Sequence, residues 1–328
     1  MQYGLPYMGA KAKIAPSLAM CFPKADHFYD LFGGGGSITH YMVMHKSNKY
    51  AHFHYNEIKT QIVDCFQKAI NGEFNYNTFK PPWISREEFD AKKATDGYVC
   101  VCWSFGNNGD NYLFSTDIEE YKRAMHMAVV FDDFNQIARE VLGCERWPAI
   151  AKTIKQRRLY LRQKIEFFRK RGLPKCLLPF LSEKQKESIA AHRPFQQLEQ
   201  LEQLKRLQQL EQLERLERLE QLERLQQLER LERLSCTSKD YREVEILPNS
   251  VVYCDIPYQG TAEYGSSFSH KEFFDWAASR EFPVYISEYN ISDPRFKLRY
   301  SIGKRCGLSR NGDNKLSMME ERLYWNGK

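Results

Sequence analysis

Near the start of the chain, His27-Phe28-Tyr29-Asp30-Leu31-Phe32 runs directly into Gly33-Gly34-Gly35-Gly36-Ser37, and a helical pattern begins at Ile38. A short strand, a glycine turn and a helix in that order predict an α/β fold, with glycines that let a ligand approach the backbone. Three ligands compete for such a turn. A P-loop is excluded, because no Gly-Lys-Ser/Thr follows the glycines. A dinucleotide fingerprint is weakened, because Ile38 or Thr39 stands where its third glycine belongs. S-adenosylmethionine fits, since it needs a tight glycine turn and an acid for its ribose but no pyrophosphate seat. Lys49 to Tyr55 reads as the second strand, and Asn56-Glu57 closes it 21 residues beyond Gly36. Acids that meet ribose hydroxyls in such folds stand about 20 residues on. Taken alone, a flexible glycine loop with an ordinary surface Glu57 accounts for these residues equally well.

A second constellation carries chemistry. Val251-Val252-Tyr253-Cys254 is an apolar strand that ends in Asp255-Ile256-Pro257-Tyr258. The amino nitrogen of adenine is a poor nucleophile, because its lone pair is delocalised into the ring. A side-chain acceptor and a backbone carbonyl that bond its two hydrogens hold it towards a tetrahedral geometry. A flat aromatic then stacks on the base once it has left the helix. Asp255 supplies the acceptor, Ile256 the carbonyl and Tyr258 the stacking face, while Pro257 stiffens the turn. For these four residues alone, a plain turn after a strand stays open.

The other segments bear on partners. The chain has 328 residues and a net charge of +6. Ten Lys or Arg residues and one acid, Glu166, fall between Lys152 and Lys175. Ile154, Leu161, Ile165 and Phe168 recur there at helical spacing, so a helix would bury one face and present Arg157, Arg158 and Arg162 outward. Exposed arginines attract phosphate backbones, although a solvated helix surface fits the block as well. From Leu198 to Leu234, thirteen leucines occupy every third position. On a helix of about 3.6 residues per turn each falls about 60° behind the last, whereas a coiled-coil seam needs a mean step of about 3.5. The repeat therefore predicts a long low-complexity helix, and self-association through 196–234 stays open beside it. Its charge is −2, from nine Glu against one Lys and six Arg, which argues against DNA contact by the repeat. Nine cysteines show no zinc spacing, so they read as reduced, structural and intracellular. Cys100 and Cys102 alternate in an apolar run that predicts a buried strand. No stretch approaches the eighteen or so apolar residues of a membrane span, and no secretory signal opens the chain.

Asp255-Ile256-Pro257-Tyr258 resembles the Asp-Pro-Pro-Tyr signature of adenine-N6 DNA methyltransferases. Phe28 to Ser37 resembles their cofactor motif, with Phe-x-Gly-x-Gly falling on Phe32, Gly34 and Gly36. Leu5-Pro6-Tyr7-Met8-Gly9-Ala10-Lys11 is similar to their N-terminal aromatic-x-Gly-x-Lys motif. The order of the three motifs is that of the Dam-like (D12) class, and Asn56-Glu57-Ile58 stands where that class has Asn-Asp-Ile. Phe105 to Phe114, with Asn108-Gly109, loosely resembles a DNA-contacting stretch of the class. Val284 to Ser287 and Arg310 to Trp325 resemble the strands and basic loop that close its fold. Ile256 departs from the signature, and the leucine repeat has no counterpart in it.

The resemblance implies an α/β, Rossmann-like S-adenosylmethionine-dependent methyltransferase fold: a largely parallel sheet with one antiparallel strand and an inserted, mainly helical target-recognition region. The expected division is 1–80 and 235–328 for the catalytic domain, 81–195 for DNA reading and 196–234 for the repeat helix. Tyr7, Gly9, Lys11, Asp30, Phe32, Gly34, Gly36, Ser37, Glu57 and Asp255 would hold the cofactor. Asp255 to Tyr258 would act on the base, and Asn108, Arg157, Arg158, Arg162 and Arg310 would touch double-stranded DNA. No metal is needed, and a cytoplasmic enzyme of bacterial or phage origin is expected, with or without a restriction partner. Two other readings stay open: the same fold acting on cytosine N4, RNA or a protein amide, and an inactive scaffold that oligomerises through the repeat.

Overall fold

The structure of the chain, a computed structural model, describes residues 3–75, 79–142, 144–161, 233–259, 268–310 and 316–328. These fall into two compact units. The first comprises 3–73, 95–98 and the described residues of 233–328, and the second 74–94 with 99–161.

In the first unit seven strands form one sheet. They are β1 (His27–Asp30), β2 (His52–Asn56), β3 (Leu234–Thr237), β4 (Ser250–Cys254), β5 (Val284–Glu288), β6 (Lys297–Arg310) and β7 (Leu316–Trp325). Their order is β3-β2-β1-β4-β5-β7-β6. The first five are parallel, while β7 runs antiparallel to both β5 and β6. The sequence dictates this burial. All five residues of β4 and all five of β5 are buried, as β-branched and aromatic runs covered on both faces must be.

Three helices of this unit lie within residues 3–73: α1 (Ala15–Cys21), α2 (Ser37–His45) and α3 (Thr60–Ile70). On one face of the sheet, Phe22, just past α1, packs on Phe28, Tyr253 and Tyr285 at centroid distances of 5.1–5.5 Å, and Phe66 of α3 stacks on Tyr55 at 4.5 Å. On the other face, Tyr29, Val252, Cys254, Val284 and Ile286 pack with Phe273, Phe274 and Ala277 of the helix His270–Ala278. Chain connections leave β1 and β4 in opposite directions, so their carboxyl ends form a switch point where α/β sheets bind ligands.

Two boundaries differ from those read in the sequence. β2 begins at His52, because the Lys49 and Tyr50 amides turn back to the Lys46 carbonyl at 2.8 and 3.1 Å. The leucine repeat lies outside the described residues except at its end, where Leu234 opens β3 opposite Phe53 and is not helical. Among the described residues, no helix is long and apolar enough to cross a membrane.

The second unit is helical. Cys100 and Cys102, expected on a buried strand, lie instead in the helix Gly97–Cys102, with the Trp103 amide bonded to the Val99 carbonyl at 3.1 Å. A continuous apolar run carries no period that separates a buried strand from a buried helix, so the alternation of the two cysteines decided nothing. Trp103 is fully buried against Trp83, at 5.1 Å, and His126, at 5.8 Å.

Residues 154–161 are helical and bury Ile154 and Leu161, as their spacing predicts. Arg157, expected to face DNA, is turned inward. Its guanidinium donates to the Val129 carbonyl at 3.1 Å and the Ala151 carbonyl at 3.4 Å, and it pairs with Asp132 at 3.4 Å. The Val129 carbonyl sits in the π-helical turn Met127–Phe131, and the Ala151 carbonyl in the loop just before the helix 154–161, positions where carbonyls lack ordinary helix bonds. Arg157→Ala should therefore lower the unfolding free energy in urea by about 1–3 kcal/mol, without changing the salt dependence of DNA binding. An unmoved midpoint together with a shallower salt slope would return Arg157 to the DNA surface.

Candidate active site

The glycine turn after β1 is shaped by contacts that leave no room for a side chain. Gly36 is the N-cap of α2 in the left-handed region, with φ +69°, and a Cβ there would run into the Phe66 ring. At Gly33 a Cβ would overlap the Tyr55 ring, whose hydroxyl donates to the Gly34 carbonyl at 2.6 Å. The N-terminal segment is stitched across this turn. The Leu5 amide donates to the Gly35 carbonyl at 2.6 Å, Gly4 to His40 Nδ1 at 3.0 Å, and Lys11 to Ser37 Oγ at 3.0 Å.

These bonds bring Tyr7, Gly9 and Lys11 onto the wall of a cavity of about 570 Å³ that also takes in Phe32, Gly34, Ser37, Glu57 and Asp255 to Tyr258. The wall draws on the segments that follow β1, β2, β3, β4 and β5. Asp30 and Gly36, grouped with these residues on sequence, stand behind the wall. Glu57 receives the Gly34 amide at 2.9 Å and the Lys59 amide at 3.1 Å. Burial pushes its carboxyl pKa up, and those two amides offset part of the rise.

At the inner end of the cavity Lys11 is 5% exposed, with Nζ 2.8 Å from Asp255 Oδ1 and 3.6 Å from Glu321 Oε1. Burial works against its ammonium, but the Asp255 and Glu321 carboxylates outweigh that cost and hold its pKa above the ordinary lysine value. Lys11 Nζ also lies 4.8 Å from the centre of the Tyr258 ring. The Tyr258 hydroxyl donates to Glu321, and its ring stands edge-to-face with Tyr289 at 4.5 Å. Burial first, then the charges of Asp255 and Glu321, raise the Tyr258 pKa, so the phenol stays a donor.

The backbone of the Asp255 to Tyr258 turn is braced from both sides. His270 Nε2 donates to the Pro257 carbonyl at 2.7 Å, and the Gln259 amide donates to Glu288 Oε2 at 3.1 Å. Ile256 is 2% exposed and belongs to the core beneath the helix His270–Ala278.

Sequence reasoning missed Asp240, Tyr241, Tyr289 and Glu321, which also line the cavity. Asp240 and Tyr241 follow β3, whose first residue was hidden as the last leucine of the repeat. Tyr289 follows β5, a strand that had been located, so its position after the strand was the available signal. Of the expected DNA contacts, Asn108 uses its Oδ1 to accept the Asp110 and Asn111 amides at 2.9 and 3.2 Å, shaping its own turn. Arg158 is half-buried, Arg310 ends β6 opposite Leu316, and Arg162 lies outside the described residues.

Asp30 has a thermodynamic signature of its own. It is 1% exposed, and Thr39 Oγ1 donates to its Oδ2 at 2.8 Å. Burial pushes its carboxyl up to about 7 from 3.8. Because the folded pKa is the higher one, the stability tied to the protonated form is full below pH 3.8 and is lost as pH rises through about 7. Asp30→Asn should abolish this part of the pH dependence. It should leave the variant of order a few kcal/mol more stable than the native chain at pH 8, read by denaturant unfolding at pH 5 and pH 8. Parallel pH profiles for the two chains would refute it.

Comparison with known proteins follows the same line. The model of the D12 class N6 adenine-specific DNA methyltransferase family matches residues 7–282, which spans the N-terminal motif, the glycine turn and the Asp255 to Tyr258 turn. No curated protein sequence matches the chain at a significant level. Of the acceptors that the sequence left open, the family match selects the adenine amino group of DNA, and the chain belongs to the D12 class of N6 adenine-specific DNA methyltransferases.

Proposed function

We propose that the cavity binds S-adenosylmethionine and that Asp255 to Tyr258 present to it an adenine swung out of duplex DNA. The observation that carries this reading is the meeting of the glycine turn, Glu57 and the Asp255 turn around one cavity at the switch point of the sheet. The lining suits this cofactor. Asp255 and Glu321 share the Lys11 ammonium. The whole lining sets five carboxylates, Glu57, Asp240, Asp255, Glu272 and Glu321, against the four cations Lys11, Lys59, Lys239 and Arg242, a slight anionic excess compatible with a cationic sulfonium. The Gly34 backbone allows close approach, and Glu57 accepts from ribose hydroxyls, while Tyr7, Gly9, Phe32 and Ser37 complete the wall. When bound, the cofactor supplies an electrophilic methyl group.

The remaining work falls to the chain. The Asp255 carboxylate and the Ile256 carbonyl accept the two amino hydrogens of the adenine. That draws the nitrogen lone pair out of conjugation and aims it at the methyl group. Tyr258 stacks on the base and supplies a flat apolar surface in place of the neighbours it left. As the nitrogen gains its new bond it sheds a proton, and the Asp255 carboxylate is the acceptor already bonded to that hydrogen. The helical unit of 74–94 and 99–161 is assigned to reading DNA, with Arg158 and the Asn108 turn as its contacts, and Arg162 and, on β6 of the first unit, Arg310 are assigned to further phosphates.

Methyl transfer from labelled S-adenosylmethionine to unmethylated genomic DNA, followed by nucleoside mass spectrometry, tests the reading. N6-methyladenine should form with the native chain and fall by about 10²–10³-fold or more with Asp255→Ala, the range seen when one polarising group is removed. Cofactor binding without any methyl in DNA would overturn the assignment of Asp255 to Tyr258 to an adenine.

A further inference from the structure

A carboxylate from the far end of the chain reaches the catalytic turn. On β7, Glu320 and Arg322 pair with each other on the exposed side at 2.6 Å, and Glu321 between them points inward and is 2% exposed. Its register puts it one residue beyond the Glu288–Arg322 pair that ends the β5–β7 ladder, beside the carboxyl ends of β4 and β5. There it accepts the Tyr258 hydroxyl and stands 3.6 Å from Lys11 Nζ.

We infer that Glu321 is a positioning residue for the methyl transfer: its bond to the Tyr258 hydroxyl fixes the place of the ring on which the target base stacks. The inference rests on the role given to Tyr258 above. A tyrosine on a turn swings about its first side-chain torsion, and anchoring the hydroxyl at the far end of the ring removes that freedom. Rotation about the second torsion leaves the hydroxyl on its axis and is limited from the face and edge of the ring instead. The Lys11 ammonium, 4.8 Å from the ring centre, and the Tyr289 ring, edge-on at 4.5 Å, limit that rotation, beside the bond at the tip. Glu321 makes that bond while it also shares the Lys11 charge with Asp255. A preset ring spares the base the cost of ordering it during the reaction, so losing the anchor acts on kcat more than on KM for DNA.

A double-variant cycle at Tyr258 and Glu321, followed by steady-state kinetics on duplex DNA, separates this role from simple balancing of Lys11. Glu321→Ala and Tyr258→Phe should each lower kcat by about tenfold, the effect of one lost hydrogen bond to a charged acceptor. KM for DNA should change less than twofold, a bound set against that tenfold loss. The double variant should fall no further than either alone. Losses that multiply, or a Tyr258→Phe chain with native kcat, would overturn the inference and leave Glu321 as a counter-charge for Lys11.

Should Glu321→Ala not fold, Glu321→Gln keeps the volume and an acceptor. It should lower kcat less than Tyr258→Phe does, and have no effect in the Tyr258→Phe background. An equal effect in both backgrounds overturns the inference. If the native chain methylates no adenine, the proposed function fails by itself. Ring anchoring is then read from the fluorine resonance of 3-fluorotyrosine at Tyr258, assigned by its loss in Tyr258→Phe. Glu321→Gln should move that resonance, and an unmoved resonance refutes the anchoring.

Discussion

An ammonium taken out of water costs several kcal/mol unless carboxylates meet it, and Lys11 is met by two that lie more than two hundred residues away in sequence. Asp255 closes β4 and Glu321 lies on β7, so the pairing is complete only when the sheet has placed β4 beside β5 and inserted β7 next to β5. The N-terminal segment must also be laid on the glycine turn, through Leu5 and Ser37, before Lys11 can reach either carboxylate. One buried charge thus reports on correct assembly of three parts of the first unit. Removing a partner from such a cluster is far more damaging than never having built it.

The same dependence explains what was legible in the sequence. The glycine turn and Asp255-Ile256-Pro257-Tyr258 each hold their chemistry within a few consecutive residues, and Glu57 stands at a spacing fixed by one strand–helix–strand unit. Those features could be read without knowing the strand order. Glu321 could not, because Met319-Glu320-Glu321-Arg322 looks like a solvated edge until the β5–β7 register turns every second side chain inward. The inward turn of Arg157 was not legible for the opposite reason. Its place in a basic block spoke for an exposed phosphate contact, while the Val129 carbonyl at the π-turn, one of the partners the guanidinium takes, carries no mark in the sequence. Cys100 and Cys102 show the limit of periodicity in a run that is apolar throughout.

The strand order also sets a division of labour within the glycine motif. Residues on the cavity side of the turn, such as Gly34 and Ser37, are open to a ligand. Those behind it serve the fold: Gly36 gives way to the Phe66 ring, and Asp30 is held by Thr39 beneath α2. A ten-residue motif that resembles a cofactor signature therefore mixes contact residues with residues that merely let the turn exist. Sequence pattern alone does not separate the two, because both demands select small or acidic residues at fixed positions.

Ile256, where the family signature has proline, follows from the same geometry. Proline at that point would contribute a fixed φ and a carbonyl. The carbonyl is present whatever the side chain, and the rigidity is supplied here from outside. His270 holds the Pro257 carbonyl, Glu288 holds the Gln259 amide, and the Ile256 side chain is sunk in the core beneath Phe273. Burying that branched side chain contributes about 1.5–3 kcal/mol, which ties the turn to the helix His270–Ala278 at the point where a proline ring would have stiffened it locally. The turn is thus made rigid by packing and two backbone bonds, and the role proposed for residue 256 uses its carbonyl, an atom that every residue type shares.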